Sequence, residues 1–443
     1  MKQIKTKKDV IAIVKAKKIK NIQLWFTDIL GVLKCCSITN EELTDVLNHG
    51  KGFDGSSVTG FAEAEESDII AQPDVATFQI LPWEGDKFPV GRMFCDILNT
   101  DGTPYAGDPR YALKRNIQRV KKMGLTFCVG AEMEYFYFKR NTKPEVLDEG
   151  RYFDVIPNDL ANKLRKETID MLRKVDIQIE TSHHEVAPSQ HEIDPRYDEA
   201  LAMADKVMTF KLVIKEVAEN HGVYATFMPK PIFGENGSGM HTHQSFFKGK
   251  TNVFFDKKDK NHLSKIAKWF IAGQLKHARE ICAVTAQWVN SYKRLVPGYE
   301  APVYISWAQK NRTALIRIPL YRPGNVSATR AELRCPDPAC NPYLAFSVML
   351  AAGLEGIEKK YPLPAAIEPN IYKMEMQERE ARGLKALPVN LFEAIKETEK
   401  SKLVKKALGE HIHSRFLYNK NKEWEEDRMQ VTSHEIKKYL PIL

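Results

Sequence analysis

The chain has 443 residues, 43% of them hydrophobic and 28% charged, with a formal net charge of +9 at pH 7. That is ordinary globular composition, which excludes a disordered or collagen-like chain, and the length allows two or three domains. Eight lysines and a single acid, Asp9, fall in residues 1–20, so most of the net charge is a local basic helix and not a nucleic-acid groove. No stretch reaches the roughly 18 apolar residues needed to span a bilayer, and the lysine-rich start lacks the apolar core of a secretory signal. The seven cysteines are odd in number and form no CxxC pair, which points to a reducing compartment, the cytoplasm.

In chain order, a helix is expected at about 8–18, then strands over Ile22–Phe26 and Val32–Ile38 on either side of a Gly31 turn. Short strands follow at Phe78–Trp83 and Arg92–Leu98. The polar Gly/Pro run Asn99–Asp108 reads as a boundary, dividing residues 1–103 from 104–443. Beyond it, Asp108-Pro109 starts a helix that stops at Gly124. Phe127–Phe138 reads as a strand, and residues 159–174, 200–220 and 262–282 as helices. Asn341-Pro342 opens a buried helix through Leu354. The pattern is α+β, with a small mixed module before a larger domain.

Four segments carry chemistry. In Ala131-Glu-Met-Glu134 the two-residue period of a strand sets Glu132 and Glu134 on one face, opposite Met133, Tyr135 and Tyr137. Adjacent carboxylates repel and want a cation, although the pair alone also fits a solvated face. Ser182-His-His-Glu185 through Gln190-His-Glu192-Ile-Asp194 is dense in ligand groups, but Pro188 stands where a zincin would need histidine. Gly237-Ser-Gly-Met-His241-Thr-His243-Gln-Ser245 aligns His241, His243 and Ser245, and Arg330-Ala-Glu332-Leu-Arg334 aligns its charges in the same way. A carboxylate-rich set with imidazoles suits Mg²⁺ or Mn²⁺ better than structural zinc. Arg294, Arg312 and Arg317, between those segments, suit phosphate or carboxylate oxygens. No P-loop is present: Gly249-Lys-Thr251 has Gln244 where the leading glycine belongs. The combination suggests phosphoryl transfer.

At this point the residues resemble a known family. Phe53-Asp-Gly-Ser-Ser57, Glu65-Glu-Ser-Asp68, Ser182-His-His-Glu-Val-Ala-Pro, Asn236-Gly-Ser-Gly-Met-His241, Val296-Pro-Gly-Tyr-Glu-Ala-Pro302, Asn311-Arg312 and Cys335-Pro-Asp-Pro-Ala-Cys-Asn-Pro-Tyr-Leu344 look like glutamine synthetase of the prokaryotic type I class, in order and spacing. The resemblance implies an N-terminal β-grasp domain and a catalytic domain with an antiparallel sheet flanked by helices. It implies a dodecamer of two stacked hexamers, with each active site between subunits. The reaction would join ammonium to glutamate through γ-glutamyl phosphate, with ATP as co-substrate and two or three Mg²⁺ or Mn²⁺ ions.

Residue by residue, Glu134, Glu185 and Glu192 match one metal site, and Glu132, His241 and Glu332 another. Asn236, Gly237, Arg294, Glu300, Arg312 and Arg334 match glutamate-binding positions; Glu180, His243, Ser245, Arg312 and Arg317 match ATP contacts. Asp54, Glu300 and Arg312 match catalytic positions, Asp54 serving a neighbouring subunit's ammonium site. Tyr372 lacks the Asp-Leu-Pro-Pro that follows an adenylylated tyrosine, and Glu63 stands where feedback-inhibited members carry arginine. With the chain length, this implies the short, non-adenylylated subgroup. A γ-glutamyl-amine ligase and a silent nitrogen-sensing scaffold are the alternatives, and a regulatory protein or metabolite effectors are conceivable partners. Neither nucleic acid nor membrane is expected.

Overall fold

The computed structural model of the chain describes residues 4–58, 60, 68–85, 87–157 and 159–443. Glu63 and the Glu65–Ser67 part of one motif lie outside the described residues.

Helix α1 (Lys7–Ala16) opens on a capping box between Thr6 and Asp9, and its buried Val10 and Val14 face the first sheet. That sheet is built from β1 (Asn21–Thr27), β2 (Leu33–Thr39), β3 (Lys51–Asp54), β4 (Asp68–Pro73), β5 (Gln79–Ile80) and β6 (Val90–Asn99). Its order is β2-β1-β6-β4-β3, with β5 on β6; β1 and β6 run parallel and the other pairs antiparallel. Helix α2 (Leu43–His49) packs Val46 and Leu47 into the same core. The strand expected over Phe78–Trp83 shrinks to β5. Pro82 has no N–H for a ladder and starts a 3₁₀ turn instead.

The larger part begins with α3 (Pro109–Lys122), where Asp108 caps the helix and Pro109 takes its first position. The strand expected over Phe127–Phe138 is two strands, β7 (Thr126–Ala131) and β8 (Met133–Phe138). They break at Glu132, whose N–H donates to the His241 carbonyl (3.0 Å), as the chain leaves one sheet for another. After α4 (Leu160–Lys174) come β9 (Ile179–His184), β10 (Gln190–Pro195), β11 (Asp198–Glu199), α5 (Ala200–Glu219), β12 (Tyr224–Thr226), β13 (Thr242–Lys248) and β14 (Thr251–Asn252). The expected helix 262–282 is two helices, α6 (Lys265–Lys276) and α7 (Ala278–Thr285), jointed at His277 and begun by the Ser264 cap. α8 (Ser291–Arg294), β15 (Trp307–Ala308), β16 (Ile316–Arg317), β17 (Ala331–Leu333) and α9 (Pro342–Lys359) follow, and the helices Leu391–Lys400, Lys402–Leu408 and Glu410–Arg428 add Ile395, Leu408 and Phe416 to the same core.

One sheet has the order β12-β8-β10-β9; the other is β11-β7-β13-β17-β16-β15, with β14 on β13. All pairs in them are antiparallel except β15–β16. Behind them α6 lies against α9 at close range: a Cβ on Gly273 would sit 2.2 Å from the Ala352 carbonyl oxygen. All seven cysteines are free thiols. Among the described residues, no helix is long and apolar enough to cross a membrane.

The most heavily bonded tie between the small sheet and the large core is a buried cation. Arg110, in the first turn of α3, donates to Asp74 (2.8 Å), Asp96 (2.6 Å) and Asp205 (2.9 and 3.1 Å). Tyr343 of α9 adds its hydroxyl to Asp205 (2.6 Å). Burial disfavours the Arg110 charge, yet the aspartates hold its pKa well above the usual value. On the same seam Asn341 donates to the carbonyls of Asp28 (3.0 Å) and Ile29 (3.3 Å). Gly31 is needed beside it, since a Cβ there would meet Asn341 Cα at 2.9 Å and its φ is +85°. Replacing Arg110 strands three acids in and around the core. Arg110→Leu is therefore expected to cost about 3–5 kcal/mol, read as a lowered urea midpoint against wild type.

Candidate active site

Strand pairing decides which side chains meet. In the β8–β10 ladder Glu134 stands opposite Glu192, and in β10–β9 Glu192 stands opposite His183. His183 Nε2 lies 3.4 Å from Glu192 Oε1, and its Nδ1 lies 3.5 Å from Glu185 Oε1. In the second sheet β13 pairs His243 with Glu332 of β17, and β16 pairs Arg317 with the same Glu332. Glu132, at the joint between β7 and β8, accepts from His241 Nδ1 (2.8 Å) and His243 Nε2 (2.6 Å). His241 Nδ1 is 3.9 Å from Glu332, and its Nε2 is 4.0 Å from Glu134. The two sheets thus present all six expected metal positions to one space.

The electrostatics follow from crowding. Burial and the charge of Glu185 push the Glu134 carboxyl well above its usual pKa. Burial, Asp194 and Glu134 do the same to Glu192. Glu185 is pushed up to about 7 by burial, with the nearby Glu300 charge adding to it. On the other wall, burial is overcome. His243 and His241 hold Glu132 well below the usual range, and Arg334 leads in holding Glu332 down. Arg317 and Arg334 clasp Glu332 at 2.8 and 2.5 Å.

Among the described residues three groups of three bring their ligand atoms within 4.8 Å of one another, and two of them lie at this site: His183 with Glu185 and Glu192, and His243 with Glu132 and Glu332. Hydrogen-bond accounting separates the histidines. Arg330 Nε donates to His243 Nδ1 (3.0 Å), so the proton on Nε2 goes to Glu132 and neither nitrogen has a free lone pair. His241 gives its Nδ1 proton to Glu132, and burial keeps the ring neutral, with a pKa of about 4. Its Nε2 lone pair is left facing Glu134. Several oxygen donors, a neutral imidazole and no thiol fit a hard divalent cation.

The other expected residues are placed as follows. Glu180, His243, Ser245, Arg312 and Arg317 line one cavity of about 1110 Å³, together with Asp194 and Arg330. Arg294 is buried and spends its fork on the carbonyls of Arg334 (3.1 Å), Cys335 (2.9 Å) and Pro336 (3.3 Å). It flanks Gly239, where a Cβ would meet Arg294, His241 and Glu134 at 2.5, 3.1 and 3.2 Å. Asn236 is half-buried, and the Gly237 carbonyl accepts from Gln190 (3.2 Å). Glu300, on an irregular segment, adopts φ +57°, a strained backbone for a residue with a side chain. Tyr372 donates its hydroxyl to the Ala301 carbonyl on that segment. Asp54 is not brought to the others: it is exposed at the end of β3, with Ser56 and Ser57 as its partners.

Sequence reasoning left some residues unassigned. His183 and Asp194 were legible, because the two-residue period sets them with Glu185 and Glu192. Gln190, which donates to Glu134 (3.0 Å), follows an irregular turn and gave no signal. Neither did Tyr152 and Phe153, whose rings pack on His183 with centroids 5.5 and 4.7 Å away.

Two family models match: the glutamine synthetase β-grasp domain over residues 18–100 and the glutamine synthetase catalytic domain over residues 106–439. The chain belongs to the glutamine synthetase family. The glutamine synthetase of Methanosarcina mazei is 51% identical over 100% of this chain and 99% of its own length. That of Mycolicibacterium smegmatis is 49% identical over 98% and 99%. Among solved structures, a GmaS/ADP complex has a TM-score of 0.88 at 31% identity, covering 98% of this chain and 99% of its own. The glutamine synthetase of Plasmodium falciparum has a TM-score of 0.88 at 25% identity and 99% coverage of both chains. With full-length relatives near half identity, the activity is ATP-dependent ligation of ammonia to glutamate. The family uses ATP and divalent metal, and the donor set described above fits that use.

The raised carboxyls make metal binding compete with protons. Metal-free, the folded chain holds a proton on Glu185 up to about pH 7, whereas the unfolded chain releases it near 4.5. That contribution to stability is lost as pH rises between the two values. Added Mn²⁺ should therefore raise the Tm of EDTA-treated protein by more at about pH 8 than at about pH 5.5. An equal rise at both would mean that Glu185 titrates normally.

Proposed function

We propose that the residues of this site divide the ligase reaction among themselves, and that two or three Mg²⁺ (or Mn²⁺) ions are held by Glu134, Glu185 and Glu192 and by Glu132, His241 and Glu332. The observation that carries this reading is the meeting of those six side chains beside an arginine-lined cavity. Bound there, the ions would supply charge neutralisation for the transferring phosphoryl group.

Glu180, His243, Ser245, Arg312 and Arg317 hold ATP. Asn236, Gly237, Arg294, Glu300, Arg312 and Arg334 orient glutamate so that its γ-carboxylate oxygen attacks the γ-phosphorus, giving γ-glutamyl phosphate and ADP. Arg312 and Arg317 donate to the phosphoryl oxygens as charge develops. Asp54 of a neighbouring subunit takes a proton from ammonium, whose nitrogen otherwise has no lone pair with which to attack. Ammonia then adds to the acyl carbon. Glu300 shields the acyl phosphate from water and removes a proton from the tetrahedral adduct, and phosphate leaves. The strained backbone at Glu300 and its closeness to Glu185 support that role.

The exposed Asp54, remote in its contacts from the other site residues, supports a shared site in a homo-oligomer, read as two stacked hexamers. So does the C-terminal segment: Val431, Leu440, Ile442 and Leu443 are largely exposed, and the helix Ser433–Tyr439 buries nothing on its own chain. We read the domain division at 103/104, the short non-adenylylated subgroup with an unmodified Tyr372, and a cytoplasmic location in the same spirit. Metabolite or protein effectors would act on surfaces of the ring.

The test is phosphate and glutamine release with ATP, Mg²⁺ and glutamate, comparing ammonium with methylamine and polyamines. One glutamine per phosphate, only with ammonium, is expected. Product with an amine but not ammonium would move the substrate to the amine. Glu300→Ala should leave assembly intact and raise phosphate released per glutamine formed; an unchanged ratio removes the shielding role. Asp54→Ala should raise the KM for ammonium at least roughly tenfold more than that for ATP, the loss of about one charge-assisted contact.

A further inference from the structure

Behind the metal-facing side of β9 and β10 lies a second cluster that the reaction does not use. His184 and His191 are cross-strand partners on the reverse face, with ring centroids 4.6 Å apart. Asp148, from the segment between β8 and α4, reaches both: its Oδ1 bonds His184 Nε2 at 2.6 Å, and its Oδ2 lies 3.3 Å from His191 Nε2, a close approach without hydrogen-bond geometry. All three are nearly inaccessible. The trio has the composition of a metal site, but its protons argue otherwise. Arg165 donates to His191 Nδ1 (2.7 Å), which puts that ring's proton on Nε2, facing Asp148. His184 has acceptors at both nitrogens, Asp148 and the Glu185 carbonyl (2.7 Å), and donates to both. No lone pair on either ring faces Asp148.

The bond to the Glu185 carbonyl links this cluster to the metal face, and Glu192 follows His191 directly in β10. Asp148 also fixes the neighbouring segment. Its Oδ1 accepts from the N–H groups of Gly150 (3.0 Å) and Ser189 (3.2 Å). Just beyond Gly150, Tyr152 and Phe153 cover His183, and Phe153 N–H donates to the His184 carbonyl (3.1 Å). We propose that Asp148 is a positioning residue for the metal site: through its bond to His184 it holds Glu185 in place, by its close packing on His191 it backs Glu192, and it anchors the Tyr152–Phe153 tip over His183. Groups that orient ligands from behind typically change metal affinity roughly 10–100-fold when lost.

The inference rests on Glu185 and Glu192 being metal ligands, so the test carries its own control. Free Mn²⁺ is titrated by electron paramagnetic resonance against wild type, Glu185→Ala and Asp148→Asn, alongside Tm and steady-state kinetics. Asp148→Asn is expected to weaken Mn²⁺ binding at least roughly tenfold. The metal concentration for half-maximal activity should rise in parallel, while kcat at saturating metal falls less. A lowered Tm with Mn²⁺ affinity within twofold of wild type would make Asp148 merely structural and overturn the proposal. Should Asp148→Asn not fold, His184→Gln is read by the same criteria. If wild type and Glu185→Ala bind Mn²⁺ alike, the ligand assignment fails and the inference with it. If they differ and Asp148→Asn matches wild type, only the inference fails.

Discussion

Carboxylates held close together in a poorly solvated space repel one another, and the rest of this structure is arranged around that cost. Glu134, Glu185 and Glu192 stand on one wall with raised pKa values, short of positive charge. Glu132 and Glu332 stand on the other, already satisfied by two histidines and two arginines. The asymmetry has a chemical use. The first wall is left wanting a cation, and the second keeps its carboxylates ionised. Neither arrangement would pay as packing alone, because uncompensated buried charge costs several kcal/mol.

Such a site needs rigid walls, and the fold provides them from behind. The walls belong to two sheets joined at Glu132, where the backbone leaves one ladder and enters the other. Helices α6 and α9 meet at glycines close enough to bring their backbones into contact. The small N-terminal sheet is fastened to this body chiefly by Arg110 and its three aspartates. Asp54 is carried on that sheet and faces outward, so the same fastening sets the direction in which its carboxylate is offered.

Much of this was legible beforehand, for reasons that can be named. The helices that begin at Asp108-Pro109 and Asn341-Pro342 were found because a capping side chain and a first-turn proline are local signals. The shared face of His243 and Ser245 followed from strand alternation, whereas Glu132, His241 and Arg334 lie just outside their strands, and Glu132 and Glu134, expected on one face, stand on different walls. The break at Glu132, the joint at His277 and the shortening of β5 were harder to read. Helix and strand periodicity pass through a joint unchanged, and only the neighbours on each side reveal it. Tyr152 and Phe153 sit on an irregular segment, where no period exists to be read.

The sequence by itself determined the residue types, the face each takes within its own strand, and, through its motifs, the family. Those are properties of a few consecutive residues and of their order. Only the tertiary structure decided which faces meet, that His241 keeps a free lone pair while His243 does not, and that Asp148 reaches both histidines from behind. Each depends on hydrogen bonds between segments tens to over a hundred residues apart: Arg330 to His243, His241 to Glu132, Asp148 to His184. A strand's period fixes the direction of a side chain, and pairing in space chooses its partner.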